Sequence, residues 1–598
     1  MLDSPEQQAA GTSIGSSRPS GCSRSAHRDC QVTSFQALCT ALQHPAVTAD
    51  PQTVCCVLQT CRSWRAAVQQ AAAGTTIIDL HSLHSIAKLS QFAAWIPRHA
   101  GMLAELFLTV PQSGCEGLSA ESYATAAEQV LLLALQNTAA AAGAHAVFPA
   151  SPASPRPAVL QPLRLRVFST DFLSGPGLLA ALPAATLTSL GVKHMQGYPS
   201  ANSTAISHAL AGLTALRHLT LENYNCEHGK LAGNCLQAVA KLARLTSLRL
   251  SWVAADADLA LLPQTLQELR LAACCGAAPL KLQHLTGVEA LHLDLQGTPA
   301  PGSALPTQLQ QLTLYTWGDN VAGDTFGNSS YLRYKQHNLQ HLQLDALQQL
   351  RALVVTNGLC EPQQMHRVAC LPKLEAVVLR YTDASLAQRA APAWPHLQQL
   401  RELTIEGGSF TPTLDELDTK EFMQQIGAAT TLVALHIASS KVDGDVHICR
   451  YLTGLQQLQD LNLTNAEGPN TREDALHLTA LTGLTALVLD GAQGVDDVAA
   501  VAIASWLRQL QHLELRSCGL TTAAALPAIG SLTQLQYLCL TGYGATEIEG
   551  GDIMLLTRLT KLVDCDAVGI HADFSDTFDH EAVSAFYQAL AGLGSDTP

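Results

Sequence analysis

Charge is scarce in this chain. Only 14% of its 598 residues are charged, and aromatic residues make up 5%. Basic residues are the rarer sign, with 34 Lys and Arg against 49 Asp and Glu, for a formal net charge of −15. A general nucleic-acid binder needs a basic footprint to displace counterions, so this balance argues against nucleic acid as a partner. The 17 cysteines are sparse over such a length. Cys235, Cys449 and Cys539 fall in apolar periodic segments, where a thiol acts as a small hydrophobe, and a reducing compartment is expected. Long apolar runs are missing too. Val130–Phe148 carries no full charge, but Gln136, Asn137, Thr138, Gly143 and His145 interrupt it. It reads as an Ala-rich helix followed by a loop, with no membrane partner. The opening MLDSPEQQAAGTSIGSSRPS has no apolar core of a signal peptide, and Asp3 and Glu6 argue against a transit peptide. A cytoplasmic protein is expected, with the nucleus also open to it. The alternative location is the ciliary axoneme or cytoskeleton.

Leucine is abundant and periodic. The phrase Leu-x-x-Leu-x-Leu recurs at Leu216, Leu245, Leu266, Leu309, Leu339, Leu458, Leu484, Leu510 and Leu535, with Val or Ile variants at Val288, Leu374, Leu400 and Leu432. Its last three residues alternate apolar, variable, apolar, the pattern of a strand with one buried face. One such strand cannot bury its leucines alone, but stacked parallel neighbours can, each joined by a crossover. The starts at 245, 266, 288 and 309 step by 21, 22 and 21 residues; those from 432 to 535 step by 26, 26, 26 and 25. Earlier phrases read LAELFL at Leu103 and LQPLRL at Leu160; the last, LTKLVD at Leu559, puts Asp564 where an apolar residue belongs, as if the sheet ended there. The chain from Leu187 onward resembles the leucine-rich-repeat family. The resemblance implies an α/β solenoid: a right-handed horseshoe with a parallel concave sheet and helices on the convex side.

A different pattern precedes the repeats. Phe35, Leu38 and Leu42 form a helical stripe, Asp50-Pro51 opens a second helix carrying Val54 and Leu58, and Trp64 and Val68 share a third face. The run Cys61-Arg62-Ser63-Trp64-Arg65 resembles the signature of the F-box, a small all-α module, although Ser34–Leu38 stands where that family opens with Leu-Pro-x-Glu. The expected organisation is a disordered stretch 1–30, an F-box-like module 31–72, a degenerate first repeat 75–111, an Ala-rich helix with Pro-rich linker 112–159, the array 160–564, and a capping helix within 565–598.

Alternation places the third, fifth and seventh residues of each phrase on the concave face. That column includes His218 and Glu222, then Arg249 and Arg270 on adjacent rungs beside Trp252, then His292 and Tyr315. His341, Gln343 and Asp345 follow, then Arg380 with Tyr381, Glu402 and Glu406, Asp460, Asp490, and finally His512, Glu514 and Arg516. Aromatic and arginine side chains on such a surface often anchor protein partners. Five histidines fall in the column, but rungs about 4.8 Å apart keep His292 from His341, and His436 from His512, too far apart to share a metal held at about 2 Å. GTSIG at Gly11–Gly15 lacks the strand-to-helix elbow of a nucleophile site, and Asp496-Asp497 most simply favours a helix start. No catalytic residue, cofactor or metal is expected. What the two resemblances imply is a substrate receptor of an SCF-type cullin-RING ubiquitin ligase. Leu38, Leu42, Val54, Leu58 and Trp64 would meet a Skp-type adaptor of the cullin complex, and the concave face would hold a protein substrate. The alternative is a leucine-rich-repeat scaffold outside any ligase.

Overall fold

A computed structural model of the chain describes residues 76–80, 85–109, 119–147, 162–171, 175–193, 200–222, 233–251, 258–275, 279–296, 299–317, 339–356, 362–381, 394, 396–407, 416–438, 447–464, 469–541 and 550–566. The expected F-box-like module, Trp252 and the expected C-terminal cap lie outside them. The chain divides into two compact units, Met1–Phe168 and Ser169–Pro598.

In the first unit, β1 (Thr76–Leu80) runs parallel to β2 (Leu103–Leu108). Helix Ile86–His99 joins them, starts on the Ser85 side chain and buries Leu89, Ala93 and Ile96. Helix Ala120–Val147 is 28 residues long. It buries Tyr123, Ala127, Leu131 and Leu135, a four-residue spacing that makes one stripe. The Ala-rich helix runs through Gly143 and His145 to Val147, as alanine's high helix propensity favours, and the loop expected after it lies outside the described residues. No described helix is long and apolar enough to cross a membrane.

β3 (Val167–Thr170) spans the division, and the second unit continues with β4 (Ser189–Val192), β5 (His218–Leu221), β6 (Ser247–Ser251) and β7 (Glu268–Cys275). Then come β8 (Ala290–Gln296), β9 (Gln311–Trp317), β10 (Ala352–Thr356), β11 (Ala376–Tyr381) and β12 (Glu402–Gly407). β13 (Ala434–Ala438), β14 (Asp460–Thr464), β15 (Ala486–Asp490), β16 (His512–Arg516), β17 (Tyr537–Thr541) and β18 (Asp564–Asp566) complete it. From β4 to β18 successive strands pair in parallel, mostly with leucine opposite leucine or another apolar residue, as Leu219, Leu248 and Leu269 show. This is the leucine-rich-repeat solenoid.

The working frame is longer than the six-residue phrase. A further apolar residue sits three before it, as in Leu213–Leu216, Leu455–Leu458 and Leu507–Leu510, and its carbonyl accepts the N–H of the first phrase leucine. The next two N–H groups donate to one carbonyl of the preceding repeat, for example Arg217 and His218 to Thr188. Leu213, Leu216, Leu219 and Leu221 are all essentially inaccessible. Full burial of each such side chain is worth roughly 1.5–3 kcal/mol.

Three of the expected registers shift, because the six-residue phrase also matches by chance outside true strand entries. Leu339–Leu342 and Leu344–Ala346 are turns of 3-10 helix, so His341, Gln343 and Asp345 are not on the sheet. The strand there is Ala352–Thr356, entered from Leu347 and Leu350. Similarly, Leu165, Phe168 and Thr170 supply the buried positions around β3, displacing the phrase expected at Leu160. At the far end Cys565 pairs opposite Leu538 and Asp564 opposite Tyr537, so Asp564 stands at the register of Tyr537 and replaces no leucine.

Candidate functional site

The buried face of the second unit's sheet is leucine. Its open face carries everything with chemistry, and the pairing register fixes who stands beside whom. Arg249, Arg270 and His292 are side by side on β6, β7 and β8, with Thr220 before them and Thr313 after. Glu222, just past β5, is buried and ion-paired with the Arg249 Nε. The Glu268 carboxylate accepts the Ser247 hydroxyl at 2.9 Å. Among the described residues Arg270 has neither an ion pair nor a hydrogen bond through its side chain. Burial, reinforced by the charges of Arg270 and Arg249, pushes the His292 imidazole below its usual value.

The middle of the face is small and apolar. Ala352 and Val354 on β10 lie beside Ala376 and Val378 on β11, all half-buried. Along one margin runs a second row of Tyr315, Thr356, Arg380 and Glu406. Arg380 Nε donates to Glu406 at 2.7 Å and its Nη1 to the Tyr315 hydroxyl at 3.4 Å. The bond to Glu406 holds this guanidinium above its ordinary pKa.

Acidic groups dominate the next strands. Glu402 on β12 and Asp460 on β14 flank Ala434 on β13. His436 Nε2 lies 3.1 Å from Asp460, and that hydrogen bond, with the charges of Glu402 and Glu406 adding to it, raises the imidazole pKa. Asp490 on β15 has no side-chain partner among the described residues.

Beyond them the expected partner residues Glu514 and Arg516 are instead occupied. Glu514 is buried and bridges His512 and Arg516, each at 2.7 Å. Tyr537 stacks on His512 with centroids 4.4 Å apart. The Arg516 guanidinium is raised chiefly by a hydrogen bond to Cys539. Glu514 is covered because His512 and Arg516, two before and two after it on the same strand, share its face and reach its carboxylate. Glu222 departs from the open column for the same reason, its partner standing on the next rung.

Arg249, Arg270, Tyr315, Arg380, Glu402, Glu406, Asp460 and Asp490 thus share one open face, and Tyr381 is the last residue of β11. Leu38, Leu42, Val54, Leu58, Trp64 and Trp252 lie outside the described residues. Absent from the sequence reading were Ala352 and Val354, the centre of the face. The signal was the step from Leu350 to Leu374, 24 residues against 35 from Leu339. No group of three or more His, Cys, Asp or Glu among the described residues is placed to hold a metal. The paired carboxylates serve the fold: Asp496 caps helix Asp497–Trp506 through the Ala499 N–H at 2.9 Å. Such a face can hold charged, polar and small apolar groups along an extended line.

No protein-family model matches the chain. A 123-residue stretch is 32% identical to Coronatine-insensitive protein homolog 1b of Oryza sativa subsp. japonica; it covers 20% of this chain and 20% of that protein's own length. Among solved structures, the chain is similar to an internalin of Listeria monocytogenes, with 17% identity over 70% of this chain and 82% of that one, at a TM-score of 0.26. It is similar also to a leucine-rich-repeat protein of Leptospira interrogans, with 15% identity over 83% and 97% of the two chains and a TM-score of 0.31.

Proposed function

We propose that this protein is a recognition subunit that binds a protein partner on the open face of its repeat sheet, and that it serves an SCF-type cullin-RING ubiquitin ligase as its substrate receptor. The observation that carries the first part is the face itself: a parallel register that lines up unpaired Arg270, Glu402 and Asp490 around a small apolar centre. The ligase role is supported by the Cys61-Arg62-Ser63-Trp64-Arg65 resemblance, with Leu38, Leu42, Val54, Leu58 and Trp64 meeting a Skp-type adaptor. In this role the chain makes and breaks no bonds. It raises the effective concentration of a captured protein beside the ubiquitin-charged enzyme.

The test is a pulldown of the full chain with a purified Skp-type adaptor. Binding at micromolar concentration, lost in a folded Trp64→Ala variant, is the expected result. No binding by the wild-type chain ends the ligase role and leaves a scaffold that binds its partner for another purpose. Binding that survives Trp64→Ala removes the F-box assignment.

A further inference from the structure

We infer that the open face takes an extended peptide lying across the rungs, with an acidic side chain on Arg270, small apolar residues over Val354 and Val378, and a basic side chain between Glu402 and Asp460. This rests on reading the face as a protein-binding surface and names the chemistry of what it binds.

Three features of the register point to that occupant. Like charges directly opposite one another weaken a sheet, yet Arg249 and Arg270 are paired neighbours. Glu222 neutralises Arg249. Glu268, two residues before Arg270 on the same face, is engaged by Ser247. An anion arriving beside Arg270 relieves the repulsion, and a carboxylate matches the guanidinium fork. At the opposite end Glu402 and Asp460 are two rungs apart, roughly 10 Å at the usual strand spacing. The methyl group of Ala434 stands directly between them, and the His436 imidazole, 3.1 Å from Asp460, borders the slot two residues further along β13, which leaves a slot with carboxylates on two sides. A lysine or arginine head fills such a slot. Between the poles, Ala352, Val354, Ala376 and Val378 offer no hydrogen-bonding side chain, so the intervening residues gain most by being small and apolar.

The register also sets the length. From β7 to the slot over β13 is six rungs, about 29 Å. An extended chain covers that in about eight or nine residues, and in fewer where long charged side chains reach toward the poles.

A phage-displayed library of random peptides about nine residues long, selected on the full-length protein, tests the proposal. Enriched peptides should carry one acidic and one basic residue about five to eight positions apart, with small apolar residues between. Selection on Arg270→Glu should replace the acidic residue by a basic one, and selection on Glu402→Lys should replace the basic residue by an acidic one. A synthetic wild-type winner should bind Arg270→Glu at least about tenfold more weakly by fluorescence polarisation, with both variants melting like the parent. Enrichment of no peptide, of peptides without the charge pair, or of the same peptides on the variants overturns the inference. The outcome is separable from the ligase role: a chain that selects such peptides yet ignores the Skp-type adaptor keeps this surface and loses that role.

Discussion

The repeats from β6 to β9 and those from β13 to β17 bury the same leucines but hold together differently. The first set steps by 21–22 residues and the second by 25–26. In the short set the crossovers between β7, β8 and β9 contain no α-helix among their described residues; Lys281 and Ala304 make an isolated bridge there, and the Ser303 hydroxyl ties two repeats together. Ser303 is fully buried, accepts the Leu280 N–H at 3.1 Å and donates to the Ala300 carbonyl at 2.7 Å. The extra four residues of the long set admit short helices, whose unsatisfied first amides need acceptors. Acidic side chains provide them across the repeat boundary. Asp474 accepts the N–H groups of Cys449 and Arg450, both at 3.2 Å, at the start of the preceding repeat's helix. Asp497 accepts from the Thr521 and Thr522 hydroxyls and the Thr522 N–H of the following one. Repeat length therefore decides the chemistry of the stitch: a neutral hydroxyl where the crossover is extended, a carboxylate where it is helical.

Four substitutions probe that contrast. Leu513→Ala and Leu291→Ala should each cost about 2–5 kcal/mol in chemical denaturation, because both sites are buried in the same leucine ladder. Unequal losses would show that one set of repeats relaxes around a cavity and the other does not. Asp474→Ala comes next, at about 1–3 kcal/mol, since it strands the buried Cys449 amide and the part-buried Arg450 amide. Asp474 also carries a pH signature. Burial raises its pKa above the usual carboxylate value. The folded state then holds the proton more tightly than the unfolded chain, so this group's contribution falls as pH rises from the unfolded pKa through the folded one and is flat above it. Ser303→Ala should cost about 1 kcal/mol, the loss of a neutral bond; a loss equal to that of Asp474→Ala would erase the distinction between the stitches.

The smallest effect belongs to the open face. His436→Gln should change stability by less than about 1 kcal/mol, because both His436 and Asp460 are solvent-screened. The imidazole pKa is raised in the fold, so its stabilisation is complete below the unfolded pKa and disappears as pH rises through the folded value. Wild type and variant should differ in melting temperature in acid and converge in mild alkali.

Most of the ladder was legible in the leucines, because burying one face of a stacked strand leaves little freedom in residue type. The misplacements at Leu160, Leu339 and Leu559 share one cause. Leu-x-x-Leu-x-Leu occurs by chance in a leucine-rich chain; at Leu559 even the longer frame matches, through Leu556 and its turn, and only the pairing of β18 with β17 places the strand three residues later. The open face was legible as a set of outward residues. Its pairing was not, because alternation tells which way a side chain points and says nothing about who stands on the next strand.

That division runs through the whole protein. The order of residues alone determined that leucine repeats would stack as parallel strands, since period-two burial and a crossover every 21 to 26 residues permit little else. The tertiary structure alone decided which charges remain available. Glu222 is taken by Arg249 and Glu514 by His512 and Arg516, while Arg270, Glu402 and Asp490 are left open. The physical reason is that an ion pair depends on the distance between strands tens of residues apart in sequence, and only the folded register sets that distance.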